Sequence, residues 1–381
     1  MNEIRVGMTG GGTGGHIYPL IAVSQKLQEL AGERGLAARI RYFGKAGSYA
    51  AAFSDSGVEI SSVVSSKLRR YFSPANVLEF PKFIAGFFEA LFKLLVFMPD
   101  VLFSKGGPGA LAVILAARFY RIPVIIHESD SVPGLTGVVS ARFAQKIAVA
   151  FAGASRYFRE QDQPKIALLG NPIRSELLKS GAGKEEAKES LGFNPKYYVI
   201  LALGGSQGST RLNEFLLDNA EPLAKMAQVL HQTGVKNYGE IARELKISLR
   251  YAGEEEKKSY RAVPYLEQDM KTAMTAADLI VSRAGAGAIF EIAALGKPSI
   301  LIPLTESAKD HQKMNAYEYS KTGAAVVIEE ENLLPHVFQG IVFDLINHPE
   351  KLKEMGERAG HFSKPDAAEN IAKEIFILAL R

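Results

Sequence analysis

From its first residues the chain sets short apolar runs against longer helix-like stretches, and that alternation leaves few folds open to it. IRVGM enters a glycine-rich turn and then YPLIAVSQKLQEL; ARIRYFG, DVLFSKGG, PVIIHE and KIAVA repeat the exchange. A short strand that is apolar along its whole length is buried on both faces, which is the environment of a parallel βαβ sheet. The rhythm pauses around PKIALLGNPIR, Pro164 to Arg174, and through the polar GAGKEEAKESLGFNPK, then restarts at YYVILALGGSQG. SLRYAG, LIVSRAGAGAIFEIAALGKPSILIPL and GAAVVIEE supply further units. A length of 381 residues exceeds what one hydrophobic core commonly supports. The pattern predicts an α/β chain of two αβα domains, residues 1–173 and 174–358. A last helix over 359–381, interrupted at Pro365 with Asp366 behind it, is apolar on one face and could dock on either domain, a return to the first being the expectation.

Composition removes several function classes. There are no cysteines, so disulfides, thiolate metal sites and a thiol nucleophile are excluded. A net charge of +4 is too small to argue for nucleic acid, and none is expected as a partner. MNEIRVGMTGG reads as a strand and a loop, without the charged and apolar regions of a signal peptide. The most membrane-like stretch, Phe83 to Met98, is short and carries Glu89 and Lys93, so a bilayer span is not expected.

Chemistry is concentrated in three glycine loops. In a doubly wound sheet such loops open into helix N-termini, where unpaired N–H groups and the helix dipole favour an anion. The first, TGGGTGGHIYP, satisfies G-x-G-x-x-G through Gly10, Gly12 and Gly15, but the dinucleotide reading also requires a carboxylate after the second strand. Lys45 stands there instead, leaving a ribose phosphate as the remaining option of that kind. His16 follows the loop, either as an acid–base group or as a residue that caps its helix. The second loop, GGSQGSTRLNEF, offers Ser206 and Gln207 without the Lys-Ser/Thr pair of a P-loop. The third, Gly285–Gly287, leads into AIFEIAALGKP, where Glu291 falls about one turn into a helix. It reads either as a ribose ligand or as a first-turn acid that complements the dipole. Farther on, ESAKDHQKMNA groups Asp310, His311, Gln312 and Asn315, a set that suits a sugar as well as an exposed loop. No D-x-D pair is present, so a metal clamped on a nucleotide diphosphate is not indicated.

GGGTGGHIYP, HESDSVPGLT, GNPIR, GGSQGSTRLN, SRAGAGAIFEIAALGKP and DHQKMNA, in that order, resemble the MurG family from about residue 4 to the last helix. The resemblance implies a GT-B fold, with two Rossmann-like domains facing across a cleft. It implies an inverting glycosyltransferase that moves N-acetylglucosamine from UDP-N-acetylglucosamine to the C4 hydroxyl of an undecaprenyl-diphosphate-linked muramyl-pentapeptide. That product is lipid II of peptidoglycan synthesis, and hence of cell-wall biogenesis, cell shape and division. No cofactor or metal is implied. By the same resemblance the first domain faces acceptor and membrane, and the second binds the UDP-sugar.

Residue by residue, Thr13, Gly14 and Gly15 correspond to the cleft loop, with His16 as first candidate base. Arg174 and Ser206 correspond to groups that meet the donor diphosphate. Ala286, Gly287, Ala288, Ile289, Phe290 and Glu291 correspond to the uridine–ribose segment, with Glu291 on the ribose; Leu266 lies against uracil, and Gln312 meets the sugar hydroxyls. Three features depart from the family pattern. Asp130 replaces a sugar-contacting asparagine, which makes it a second base candidate but, when ionised, no donor. Ala288 and Phe290 stand where hydroxyl residues are frequent, and Pro108 where an aromatic is common. The lipid acceptor implies a peripheral enzyme on the cytoplasmic face of the bacterial inner membrane. Lys67, Arg69, Arg70, Lys82 and Lys93 beside Phe, Leu and Ile suit anionic lipid, at about 1 kcal/mol per basic residue. The alternatives are another GT-B UDP-sugar enzyme, a glycolipid glycosyltransferase or a UDP-N-acetylglucosamine 2-epimerase.

Overall fold

Glycine loops follow the strands beside which the strand order reverses, and that placement organises both halves of the structure. The structure is a computed structural model describing residues 3–66, 74–205, 208–267, 269–305 and 310–381. The first sheet has 7 strands: β1 (Glu3–Thr9), β2 (Ala37–Phe43), β3 (Val58–Ser61), β4 (Val101–Ser104), β5 (Val124–Glu128), β6 (Lys146–Val149) and β7 (Ile166–Leu168). They lie in the order β3-β2-β1-β4-β5-β6-β7. The second sheet has 6: β8 (Val199–Leu203), β9 (Gln228–Gln232), β10 (Tyr260–Val263), β11 (Leu279–Ser282), β12 (Ser299–Leu301) and β13 (Ala325–Val327), ordered β10-β9-β8-β11-β12-β13. Every pairing is parallel. The order reverses between β1 and β4 in one sheet and between β8 and β11 in the other. Ligands of open parallel sheets bind beyond the carboxyl ends of the strands at such switch points.

The chain divides into two compact units, Met1–Arg174 with Lys364–Arg381, and Ser175–Ser363. In the first unit helix Gly14–Glu33 buries Ile17, Leu20, Val23 and Leu27 against Val6 and Met8 of β1. On the other face, helices Pro74–Phe97 and Ala110–Phe119 bury Ala90, Leu94, Phe97, Val113 and Ile114 against Leu102, Val124 and Ile126. The second unit encloses Ile200, Ala202, Val229, Val281 and Ile300 between its helices.

Three stretches differ from the sequence pattern. SLRYAG holds no strand: Ser248 ends helix Tyr238–Ser248, and Leu249 and Ala252 are buried in the turn behind it. The edge strand is β10 instead. Neither β3 nor β9 was marked by the apolar alternation, because β3 is half exposed and β9 buries two glutamines and a histidine.

Helix Pro349–Phe362 ends before Pro365, and helix Ala367–Ala379 then packs in the first unit. Ile371, Ile375, Phe376 and Leu378 enter the same core as Ile17 and Leu20, and Arg34 stacks over the Phe376 ring at 4.7 Å. Ile375 is fully buried, so Ile375→Ala is expected to cost about 2–5 kcal/mol. Urea unfolding followed by a probe in the first unit checks this, and an unchanged midpoint there would remove the helix from that core.

Candidate active site

The loop after β1 is shaped by a contact that no side chain could survive. A Cβ on Gly107 would stand 2.7 Å from both the Cα and the N of Gly11, and Gly107 already has a φ of 86°. The loops after β1 and β4 therefore touch backbone to backbone, at distances only glycine permits. Tyr42 at the end of β2 donates its hydroxyl to Gly10 O at 2.9 Å, and Thr9 Oγ1 donates to Phe43 O at 2.8 Å. Gly12 and Gly15 differ: a Cβ at either would meet nothing within 4 Å, so packing does not demand these glycines and their backbone stands open.

Thr13 is the extended N-cap of helix Gly14–Glu33, and its carbonyl accepts the His16 and Ile17 N–H groups. Its Oγ1 lies 2.8 Å from His16 Nδ1. His16 lines a cavity of about 530 Å³ together with Lys105, Glu128, Asp130, Phe83 and Leu135.

Lys105 is the group sequence reasoning missed. It follows β4, is 3% exposed, and directs its ammonium at His127 Nδ1 (2.7 Å), Asn171 Oδ1 (3.1 Å) and Ser129 Oγ. His127 Nε2 lies 2.8 Å from Gly170 O, an acceptor only, so Nε2 carries the proton and Nδ1 accepts from Lys105. Burial, with Lys105 beside it, holds His127 well below the ordinary imidazole range, which removes it as a base. Burial likewise pushes Lys105 down to about 7, against the opposing pull of Glu128 and Asp130. Glu128 is raised to about 7 by burial and then by the Asp130 charge. SKGG carried a signal, a lysine inside an apolar strand–glycine junction, but its partners come from β5 and the GNPIR turn. Arg174, in that same turn, places its guanidinium over the Tyr18 ring at 5.3 Å.

In the second unit, side chains bind the loops together. Gly205 and Gly208 have φ of 87° and 77°, and a Cβ on Gly208 would lie 2.4 Å from Thr233 O. Gln232 at the end of β9 donates to Gly205 O at 3.4 Å and accepts the Leu266 N–H at 2.9 Å. Arg283 after β11 donates to Ser209 Oγ through Nε (3.0 Å) and Nη2 (2.6 Å), and to Ile302 O. Glu330 neutralises it at 2.5 Å. Ser209 in turn caps helix Thr210–Asp218 by accepting the Leu212 N–H. The second and third glycine loops are thus one hydrogen-bonded assembly.

The remaining expected residues fall as follows. Ser206 lies outside the described residues, as do Lys67, Arg69 and Arg70. Gly285 is the N-cap of helix Ala286–Ala294, and at Gly285 and Gly287 a Cβ would meet nothing within 4 Å. Ala286, Ile289 and Phe290 are buried, Phe290 against the Phe362 ring; Gly287, Ala288 and Glu291 are partly exposed. Glu291 is the sixth helical residue and the first turn holds no acid, so the dipole explanation for it fails on geometry. Leu266 is buried, and Asp310 adopts a φ of 52° ahead of helix His311–Ser320. Gln312 Oε1 accepts the Leu304 N–H at 3.1 Å, and Asn315 reaches Ala284 O beside the third loop.

Behind these loops, His231 is wedged between Asn213 Oδ1 (3.0 Å) and the Tyr260 hydroxyl (3.1 Å). Burial pushes it down to about 3 from 6.5. The unfolded chain therefore binds a proton between those values that the folded chain refuses, so stability falls as pH drops through that window. For this one group the slope approaches about 1.4 kcal/mol per pH unit, and His231→Gln should remove it. Urea titrations along the acid side of neutrality read the difference; equal slopes in the two proteins would contradict the assignment.

The model for the glycosyltransferase family 28 N-terminal domain matches residues 6–149, and that for the family 28 C-terminal domain matches residues 199–371. A Halothermothrix orenii UDP-N-acetylglucosamine--N-acetylmuramyl-(pentapeptide) pyrophosphoryl-undecaprenol N-acetylglucosamine transferase is 34% identical over 367 residues, covering 95% of each chain. The Caldicellulosiruptor saccharolyticus protein of the same name is 35% identical over 385 residues, covering 97% of each. Among solved structures, Acinetobacter baumannii MurG superposes with a TM-score of 0.73 at 25% identity over 98% of this chain and 99% of that one. The Neisseria meningitidis UDP-GlcNAc 2-epimerase does so at 0.69 and 14% identity, over 98% and 100%, and shares the fold. Identity at this level across both domains makes the chain a glycosyltransferase with two Rossmann-like domains, a member of the MurG family within glycosyltransferase family 28.

Proposed function

We propose that the chain transfers N-acetylglucosamine from UDP-N-acetylglucosamine to the C4 hydroxyl of lipid I, giving lipid II for peptidoglycan. The observation that carries this reading is the match of 34–35% identity to transferases of that name over nearly their full length. The hydroxyl oxygen attacks the anomeric carbon as the bond to the diphosphate oxygen breaks. Configuration inverts, UDP leaves with the electron pair, and a base takes the hydroxyl proton.

The first unit is assigned to the acceptor and the second to the donor. His16 is the first candidate base. When its Nδ1–H donates to Thr13 Oγ1, Nε2 carries the lone pair that proton transfer needs. Asp130, on the same cavity, is the second candidate. Thr13, Gly14 and Gly15 frame that end of the site. Charge developing on UDP is met by Arg174, by N–H groups near Ser206 and by the opening of helix Ala286–Ala294. Burial at Ile289 and Phe290 leaves Gly287, Ala288 and Glu291 as the residues there best exposed to a uridine ribose, with Leu266 and Gln312 toward the base and the sugar.

Membrane contact is assigned to helix Pro74–Phe97. It buries Ala90, Leu94 and Phe97, yet Phe80, Ile84, Phe88, Phe92 and Val96 also stand exposed at four-residue spacing, Phe92 at 67%. An apolar stripe on the side away from the core supports insertion into a lipid interface. Lys82 flanks it, paired with Glu79. Lys93 is spent differently from the sequence expectation: it binds Ser62 O and Glu89, while Glu89 accepts the Val64 N–H. No helix among the described residues is long and apolar enough to cross a membrane. The proposed location is peripheral, on the cytoplasmic face of the inner membrane, against anionic lipid.

UDP release from UDP-N-acetylglucosamine in detergent, with and without a lipid I analogue and without added metal, tests the reaction. Release should require the acceptor, and Glu291→Ala should lower kcat/KM for the donor about ten- to a hundredfold. Release without acceptor would point to an epimerase or hydrolase, and full activity in the variant would sink the ribose assignment. Separately, Phe88→Ser with Phe92→Ser should weaken sedimentation with anionic vesicles by about tenfold or more, since each buried Phe contributes roughly 1.5–3 kcal/mol. Unchanged sedimentation would move the contact elsewhere.

A further inference from the structure

Glu128 ends β5 and reaches over the loop that follows it. Oε1 accepts the Asp130 N–H and Oε2 the Gly134 N–H, each at 3.2 Å. The SDSVPG loop therefore closes on a carboxylate. Helix Leu135–Ala141 lies directly against that carboxylate, because a Cβ on Gly137 would come within 2.5 Å of Oε2. On the same cavity, the ammonium of Lys105 has three donors and three protein acceptors: His127 Nδ1, Asn171 Oδ1 and, in the loop itself, Ser129 Oγ. With its donors so committed, Lys105 is poorly placed to hold a phosphate of the substrate directly. Its charge still acts on both acids that line the cavity.

We infer that Lys105 is a positioning residue for the transfer: a buried cation that donates to Ser129 Oγ inside the loop closed on Glu128, and so fixes the loop that presents Asp130 to the cavity. The inference rests on the proposed reaction for its kinetic consequence and on the contacts above for its structure. An ionised carboxylate accepts through both oxygens, whereas a protonated one turns one oxygen into a donor facing an N–H. Among the described residues, the charged or titratable groups facing Glu128 are Lys105, Asp130 and, on the cavity wall, His16. Helix Leu135–Ala141 brings no ionisable side chain, and His127 stays neutral. Burial holds Glu128 at about 7 with Lys105 present. Removing the cation raises it further, so the carboxylate is lost first at the acid end of the working range.

The test compares wild type with Lys105→Met, Lys105→Arg and Glu128→Gln. In Lys105→Met the acid limb of kcat should move up by about one pH unit, with a loss of about tenfold near neutrality that shrinks at alkaline pH. KM for UDP-N-acetylglucosamine should change less than about twofold, since the second unit binds the donor. Lys105→Arg, which keeps the charge, should leave the limb in place even if turnover falls. Glu128→Gln should remove the Glu128 component and move the limb down to that of the base alone. A pH-independent loss in Lys105→Met, or a limb unmoved in Glu128→Gln, would reduce Lys105 to packing and overturn the inference. If Lys105→Met does not fold, the Arg and Gln variants still decide it. Carboxyl 13C titration of Glu128, assigned with Glu128→Gln, reads the same coupling without turnover. A raised midpoint beside an inactive wild type would defeat the proposed reaction and keep the coupling; an unmoved midpoint would defeat the coupling alone.

Discussion

The first unit depends on two backbones meeting where side chains are absent. Gly11 and Gly107 lie so close that the loops after β1 and β4 share one surface, and the cavity bearing His16, Lys105, Glu128 and Asp130 opens beside it. A methyl group on Gly107 would push the loops apart, and overpacking of this kind typically costs about 1–3 kcal/mol. The cost to geometry is greater than the cost to stability. The Gly107 Cβ position also lies 3.2 Å from His16 Nε2, so the contact that seats the loops seats the imidazole as well.

The second unit reaches a similar end by the opposite means. Its loops after β8 and β11 are joined by side chains, Gln232 between Gly205 and Leu266, and Arg283 between Ser209 and Glu330. Gln232 and Arg283 are buried and hydrogen-bonded, and Arg283 is paired with Glu330, so the network specifies geometry without leaving an unpaired charge. One unit thus fixes its loops by steric exclusion and the other by hydrogen bonding. Steric exclusion leaves the backbone around Gly12 and Gly15 bare, while the network leaves bare the positions around Gly205, Gly285 and Gly287.

Sequence reasoning reached the parallel α/β architecture because βαβ units write it locally: apolar strand, glycine turn, amphipathic helix. It reached His16 and the glycine loops for the same reason, and Asp130 only through the family resemblance. Lys105 escaped because its meaning depends on His127, Ser129 and Asn171, which lie 22, 24 and 66 residues away along the chain. Arg283 escaped for a like reason, its partner Ser209 being 74 residues distant. Lys93 reads as surface charge, since nothing local reveals that Ser62 O accepts a hydrogen bond from its ammonium. The strand β9, QVLHQ, hid behind polar letters that are all buried, and SLRYAG imitated a strand through residues that only cap a helix.

Helix Ala367–Ala379 belongs to the core of the first unit although the whole second unit, Ser175–Ser363, lies between it and β7. A chain made from its amino end therefore exposes the Ile17 and Leu20 surface throughout synthesis of the second unit. The second unit is complete in sequence, and free to fold, before the first can close. During that interval the unit with the unfinished core is also the one with the apolar helix stripe. The growing chain thus presents two apolar surfaces at once, one awaiting its own last helix and the other remaining after folding.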